Sequence, residues 1–265
     1  MIYITAILLG IVEGITEFLP ISSTGHLIVA EKLLDFHDVQ DVFTVVIQLG
    51  AIAAVLWFYR HDLLAKVRGL FKKDPVALHF WKVLVIATIP AGIFGLMLDK
   101  SMESISTLTV IGWALIIGGI ILWLVDRRPP TRRSLSPQVE KTTIRQALLV
   151  GLGQCVAIIP GVSRSGATIV SGLSVGLDRP TATAFSFYLS IPVLVLASAY
   201  KLVKHPEAVG QVSGGGGAIL VATIVSFMVA LASITWLLRY VSRHNFRPFA
   251  YYRIIAGLII LLFIA

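Results

Sequence analysis

Hydrophobic and polar positions alternate on a long scale in this chain. Six apolar stretches approach the roughly 20 residues that cross a bilayer as a helix: 42–59, 83–98, 108–125, 181–200, 218–238 and 249–265. Two further regions, 2–34 and 147–177, are apolar but broken near their middles, at "PISSTG" (20–25) and "PGVSRSG" (160–166). A proline and glycine break at membrane depth frees backbone N–H and C=O groups. Those must be satisfied by protein or by a wet cavity. Two short helices that enter and leave on one side meet that requirement, so both regions read as re-entrant hairpins; the alternative is a kinked full crossing. The pattern predicts an all-α polytopic membrane protein with about six transmembrane helices and two re-entrant helical hairpins.

The broken regions also resemble each other. A shift of 141 places Ala6 on Ala147, Gly10 on Gly151, Ser22 on Ser163, Gly25 on Gly166 and Ile28 on Ile169, while the prolines miss by one position. A shift of 142 places Phe43 on Phe185, and a shift of 138 places Ile116, Ile117 and Gly119 on Ile254, Ile255 and Gly257. The common order of these matches predicts a single integral membrane domain, 1–265, built from repeat halves of about 1–126 and 142–265. A basic linker, 127–141, joins them.

Composition agrees: 57% of residues are hydrophobic, 14% are charged and mean hydropathy is +0.88. A soluble domain is about one quarter charged. The net charge of +8 would suggest nucleic acid in a soluble protein. Here the basic residues cluster between apolar segments, where they set topology, and no nucleic-acid partner is expected. Six Lys or Arg lie in 60–82 and six in 127–145, a stretch that opens "RRPPTRR". Arg239, Arg243, Arg247 and Arg253 lie near the last turn. The positive-inside rule makes all three regions cytoplasmic. The opposite loops hold Lys100, Lys201, Lys204 and a flexible "SGGGG" at 213–217. One hairpin and three spans per half then invert the second half against the first. The two hairpin tips meet near the midplane, an inverted repeat with broken helices at its site. No Lys or Arg precedes Lys32, so 1–34 does not read as a secretory signal. Cys155 is the only cysteine, which excludes an intrachain disulfide and a cysteine metal cage.

The candidate chemistry lies in the two breaks. Glu13 and Glu17 are one helical turn apart and share a face. Ionised groups at that depth are costly. They are either a packed carboxyl pair or groups facing a wet cavity, as cation ligands or as acid and base. After Pro20 come Ser22, Ser23, Thr24, Gly25 and His26. A helix starting there is capped by Ser22 or Ser23 and points free N–H groups at an anion. His26, one turn beyond Ser23, suits a nucleophile–base pair if the two hydrogen-bond; plain capping is the alternative. In the second break Ser163, Ser165 and Thr168 offer hydroxyls, Gly166 a close approach, and Arg164 a guanidinium matched to phosphate oxygens. Arg164 either takes an anion or pairs with Glu13 or Glu17 across the hairpins. Elsewhere, Asp178-Arg179-Pro180 reads as a helix start with a local charge pair. Gln48, Ser186 and Ser190 are candidate cavity-lining residues, and Tyr188 and Trp113 are packing or interface anchors. His61, His79, His205 and His244 lie near loops and do not suggest ligands.

At these residues the chain resembles the undecaprenyl-diphosphate phosphatases, also called bacitracin-resistance proteins. The family motif Glu-x-x-x-Glu followed by Pro-x-Ser-Ser-Thr-Gly-His is matched from Glu13 to His26. Its second motif, Pro-Gly-x-Ser-Arg-Ser-x-x-Thr, is matched from Pro160 to Thr168. The resemblance covers essentially the whole chain. It implies a multi-pass enzyme of the bacterial inner membrane, with a site open to the periplasm. The reaction would convert undecaprenyl diphosphate to undecaprenyl phosphate and inorganic phosphate. That recycles the lipid carrier of cell-wall synthesis and underlies bacitracin resistance. A divalent cation, Mg²⁺ or Ca²⁺, and a homodimer are implied as well.

Carried over, Glu13 and Glu17 would hold the metal or act as acid and base. Ser23 would be the nucleophile with His26 beside it, and Arg164 would bind phosphate. Ser22, Thr24, Gly25, Ser163, Ser165, Gly166 and Thr168 would line the phosphate site. Ser23 would attack phosphorus itself, or Glu17 or His26 would activate water while Ser23 orients phosphate. Broken helices in an inverted repeat are also transporter architecture, so the rival reading is a flippase or carrier of a phosphorylated lipid. The tight Glu, Ser, His and Arg set exceeds what anion binding requires and favours an enzyme. The acid-phosphatase signature is not intact, because no histidine lies five residues beyond Arg164.

Overall fold

The computed structural model describes residues 1–38, 41–127, 137–207, 212 and 214–265, with the side chains of 99–104 outside the description. Most of the basic linker, 128–136, and the first residue of "SGGGG" also lie outside the described residues. The described chain is helical. Short helices α1 (Ile2–Thr16) and α2 (Ser23–Leu33) come first. Then follow α3 (Val42–Phe58), α4 (Arg60–Phe71), α5 (Pro75–Ser104) and α6 (Leu108–Asp126). After the linker come a second short pair, α7 (Ile144–Gln154) and α8 (Arg164–Ser174), and the long helices α9 (Arg179–Lys204), α10 (Gly215–Val241) and α11 (Arg247–Ile259). A π-helical turn, Ile260–Ile264, extends α11.

Five of these helices are long and apolar enough to cross a bilayer. The sixth is α3, which bends by 73° into the basic α4. The short pairs fall short of a crossing. At 1.5 Å per residue, α1 and α2 are roughly 22 and 17 Å long, against a core of about 30 Å. In each pair the two arms pack on one another, as re-entrant hairpins do.

Several boundaries move outward from the apolar stretches. Helix α5 begins at Pro75 rather than 83, because Asp74 Oδ2 accepts from the Ala77 N–H at 3.1 Å and proline suits the first turn. Helix α9 begins behind Asp178, whose Oδ1 accepts from the Thr181 N–H at 2.8 Å. The glycines expected to form a flexible loop are instead the first turn of α10. Gly217 lies against Tyr3 and Gly214 against Ile2 of α1, while Gly215 and Gly216 between them face open space.

Exposure is inverted relative to a soluble protein. Leu96, Met97, Leu220 and Met228 are more than half exposed, while Glu13, Ser186 and Ser190 are 0% exposed. Lipid covers the apolar exterior, and polar groups are kept for the interior. The two halves interlock. Helix α1 packs on α10, and α7 packs on α5, so each hairpin's first arm rests on a long helix of the other half. A Cβ at Gly10 would strike the Ala222 backbone, and one at Gly151 the Ala87 backbone. Small residues let these helices approach closely enough to pack in lipid. Helix α6 crosses α11 at Gly112, Gly119 and Gly257 in the same manner.

Candidate active site

Both hairpin tips use one backbone device. Ser22 (φ 76°) and Ser163 (φ 75°) sit in a region that L-residues avoid. Such a residue costs of order 1–3 kcal/mol and persists only where its surroundings fix it. Here each serine caps the following helix. Ser22 Oγ accepts from the Gly25 N–H at 3.3 Å, and Ser163 Oγ from the Gly166 N–H at 3.0 Å. The turn thereby aims the starts of α2 and α8, with their remaining N–H groups, toward the junction of the two tips.

At that junction lies Glu17, the C-cap residue of α1. Ser23 Oγ donates to Glu17 Oε2 at 2.5 Å, and Arg164 Nη2 donates to Glu17 Oε1 at 2.7 Å. One buried carboxylate thus joins the hydroxyl at the start of α2 to the guanidinium at the start of α8. The bridge from Arg164 to a carboxylate across the hairpins is the one formed. It leaves donors over: Nη1 reaches the Ser186 carbonyl at 3.1 Å, while buried Nε has no partner. The guanidinium lies 5.9 Å from the centre of the Phe18 ring, which is packed edge-on against Phe187.

Glu13 lies one turn before Glu17 and is fully buried, and neither of its oxygens has a hydrogen-bond partner. An ionised carboxylate in that state is expensive. Among the described residues no group of three or more His, Cys, Asp or Glu side chains could hold a metal ion. The hard oxygens of Glu13 nevertheless match Mg²⁺ or Ca²⁺. Mg²⁺ in particular is commonly held by one or two carboxylates together with substrate phosphates.

His26 departs from expectation. Its Nδ1 lies 2.7 Å from the Ser22 carbonyl and its Nε2 lies 2.6 Å from the Tyr252 hydroxyl. A carbonyl only accepts, so Nδ1 carries the hydrogen, and in the neutral ring Nε2 accepts from Tyr252. The two rings are also stacked, 5.6 Å apart and 9° from parallel. The hydroxyl–imidazole bond that helical spacing suggested is not made; Ser23 points back to Glu17. A one-turn spacing permits both partners, and the fold of the α1–α2 tip brings the carboxylate to the hydroxyl first.

The second tip also differs from an open cradle of hydroxyls. Ser165 Oγ donates to the Leu19 carbonyl at 2.9 Å, tying this tip to the first. Ser163 Oγ lies 3.1 Å from Ser165 Oγ. Thr168 Oγ1 contacts the Arg164 and Ser165 carbonyls and lies 2.6 Å from Ser186 Oγ. These hydroxyls build the tip and hold Arg164 from behind. Gly25 and Gly166 are buried at the two helix starts, and Thr24 is exposed beside Ser23.

Of the other polar residues, Ser186 is fully buried, its carbonyl accepting from Arg164 and its hydroxyl meeting Thr168, while Ser190 donates to the Phe187 carbonyl within α9. Tyr188 is a packing residue whose hydroxyl donates to Asp62. Arg179 does not pair with neighbouring Asp178. Its Nε donates to Asp126 Oδ1 at 2.6 Å, and Asp126 Oδ2 accepts from the Phe246 N–H. Two residues that touch the site were missed from sequence. Tyr252 carries no local signal, and Arg253, counted among the basic residues of the last turn, is 1% exposed and lies between the tips.

The chain can now be set beside known proteins. The family model described as bacitracin resistance protein BacA matches residues 6–259. Undecaprenyl-diphosphatase 2 of Rhodospirillum rubrum is 50% identical over 263 residues, spanning 97% of this chain and 93% of that protein. Undecaprenyl-diphosphatase of Novosphingobium aromaticivorans is 45% identical over 262 residues, spanning 97% and 96%. That of Deinococcus deserti is 45% identical over 273 residues, spanning 100% and 96%. The chain belongs to the bacitracin resistance protein family.

Proposed function

We propose that this protein hydrolyses undecaprenyl diphosphate to undecaprenyl phosphate and inorganic phosphate, at the junction of its two hairpin tips. The name of its relatives and the family match support the substrate. The observation that carries the chemistry is the shared carboxylate: Glu17 accepts from Ser23 on one side and from Arg164 on the other.

The terminal phosphate of the substrate binds between the N-termini of α2 and α8. The unpartnered Nε of Arg164 and the free helix N–H groups meet its oxygens. Glu17 Oε2 takes the Ser23 proton as Oγ attacks the terminal phosphorus. The Oγ–P bond forms, the anhydride P–O bond breaks, and undecaprenyl phosphate leaves as an anion that needs no added proton. Water then attacks the phosphoserine and its proton stays on the phosphate oxygens; the Oγ–P bond breaks, Glu17 returns its proton to Ser23 Oγ, and inorganic phosphate leaves. Arg164 and the helix ends stabilise the charge that shifts during both steps. His26, whose two ring nitrogens are taken by the Ser22 carbonyl and the Tyr252 hydroxyl, lines the rim beside exposed Thr24. Direct attack by water, with Ser23 only orienting phosphate, is the competing route.

Glu13, with Glu17, is the ligand we assign to a divalent cation, Mg²⁺ or Ca²⁺, with substrate phosphate completing the shell. Such an ion would neutralise phosphate charge.

The basic residues of α4 and of the linker sequence support a cytoplasmic side for the face that carries them. Helix α3 starts at the opposite face, so the first hairpin enters from the periplasm and the second from the cytoplasm of a bacterial inner membrane. Internal duplication is supported by the matching tips and by the exchanged packing of α1 on α10 and α7 on α5. The apolar exterior suits a homodimer in the bilayer.

The test is phosphate release by purified protein in detergent from a long-chain polyprenyl diphosphate, with Mg²⁺ or Ca²⁺ present. Turnover without a sealed compartment supports the enzyme. No release, together with transbilayer movement of lipid phosphate in liposomes, would replace it with a carrier.

A further inference from the structure

Arg253 has no carboxylate partner among the described residues. Its guanidinium is spent on backbone carbonyls. Nε donates to Leu115 at 3.3 Å and Nη1 to Pro20 at 3.0 Å. Nη2 reaches Ala114 at 3.2 Å, Gly161 at 3.4 Å and Val162 at 2.9 Å. One side chain from α11 therefore grips α6 and both hairpin tips. Pro20 lies two residues before the capping Ser22, and Val162 lies one residue before the capping Ser163. Those two serines start the helices that carry Ser23 and Arg164.

We infer that Arg253 is a positioning residue for the reaction: its planar fork sets the register of the two tips, and so the placement of Ser23 against Arg164. The inference rests on the reading of the junction as a phosphatase site.

Three physical points support it. First, a break in a membrane-embedded helix leaves carbonyl oxygens without partners, and Arg253 supplies donors to such groups in both tips at once. Second, those carbonyls are negative dipole ends close to where phosphate would bind. Taking them up leaves the N–H ends of α2 and α8 as the dominant dipoles facing the anion. Third, no carboxylate among the described residues forms an ion pair with the positive charge of Arg253. It sits behind both helix starts, where it favours an anionic substrate. Lysine has a single nitrogen with three donors and cannot reproduce the fork. The surroundings are shaped to the guanidinium: a Cβ at Gly118 of α6 would strike Nη2, and one at Gly166 would come within 2.9 Å of Nη1.

Two variants and a control test the inference. Arg253→Lys keeps the charge and removes the fork. Gly118→Ala keeps Arg253 but pushes its guanidinium, the far end of a flexible side chain, off its carbonyls. Gly95→Ala, whose added Cβ meets nothing within 4 Å, controls for a methyl group on a membrane helix. All three are purified in detergent and compared by size exclusion, thermal unfolding and steady-state phosphate release.

The expected result is a fall in kcat of about tenfold to a hundredfold for Arg253→Lys and for Gly118→Ala. That is the scale of a misplacement of about 1 Å in a reacting constellation. KM should change by less than about threefold, because the groups that bind phosphate remain, and Gly95→Ala should match wild type. A purely structural role predicts something else: fewer folded molecules, each with wild-type kcat. That outcome would overturn the inference, as would wild-type kcat in folded Arg253→Lys or Gly118→Ala. Should Arg253→Lys fail to fold, Gly118→Ala decides. If wild type itself releases no phosphate, the phosphatase reading fails, which is distinguishable from equal turnover in wild type and variants.

Discussion

The two hairpin tips share a backbone and divide the chemistry. Each closes on a serine at positive φ that accepts from a glycine N–H three residues on, and each starts an 11-residue helix. In the first tip the residue after that serine is Ser23, which donates to Glu17; in the second it is Arg164, which donates to the same carboxylate. The second tip's hydroxyls are consumed in holding its shape, whereas the first leaves Thr24 exposed and His26 at the rim. The first arms differ in the same way. Glu13 and Gln154 lie 141 residues apart, are both buried, and have no hydrogen-bond partners for their terminal atoms. One is an acid beside the junction and the other a neutral amide. The two helix starts share one backbone form, and in the proposed mechanism the side chains of the first supply the reactive groups while those of the second clamp phosphate.

The largest break in that division should come from the first tip. Ser23→Ala should lower kcat by at least about a thousandfold, and Glu17→Gln by a similar factor, with the protein still folded. Steady-state phosphate release checks both. Removing the clamp should cost somewhat less. Arg164→Lys keeps the charge but loses the fork, and should reduce kcat/KM by about a hundredfold to a thousandfold. A third change sharpens the role of His26. Tyr252→Phe removes one hydrogen bond but keeps the ring stack, so turnover should fall by less than about tenfold; a drop as large as that of Ser23→Ala would make the Tyr252–His26 pair part of the proton transfer itself. The smallest effect should come from Gln154→Leu. Removing a buried amide with unmet hydrogen bonds should leave turnover within about twofold and raise stability slightly, whereas Glu13→Leu should lose activity. Thermal unfolding and turnover of the two variants, measured together, compare the arms directly.

Much of this arrangement was legible in the chain. The breaks at Pro20 and Pro160 interrupt apolar runs that otherwise spell membrane helices, and the one-turn spacing of Glu13 and Glu17 puts them on one face. What could not be read was partner choice over long distance. Arg179 sits beside Asp178 in sequence yet pairs with Asp126, 53 residues away. Arg253 was counted as a topological charge, because a count of Lys and Arg carries no information on depth. Tyr252 carries no local signal, because its partner His26 lies 226 residues away. Helical spacing put His26 within reach of Ser23, but the fold of the tip gave the hydroxyl to Glu17 and the imidazole to Ser22 and Tyr252. Local spacing thus fixed which residues lie near a break, and packing between hairpins decided which of them touch.

The central claim is that Ser23, relieved of its proton by Glu17, attacks phosphorus held by Arg164. It is tested most directly by rapid quenching of purified protein with a polyprenyl diphosphate labelled in its terminal phosphate. The account predicts label transiently bound to Ser23, released as inorganic phosphate at the steady-state rate and absent from Ser23→Ala. Near-wild-type phosphate release by folded Ser23→Ala would contradict it and assign the attack to water.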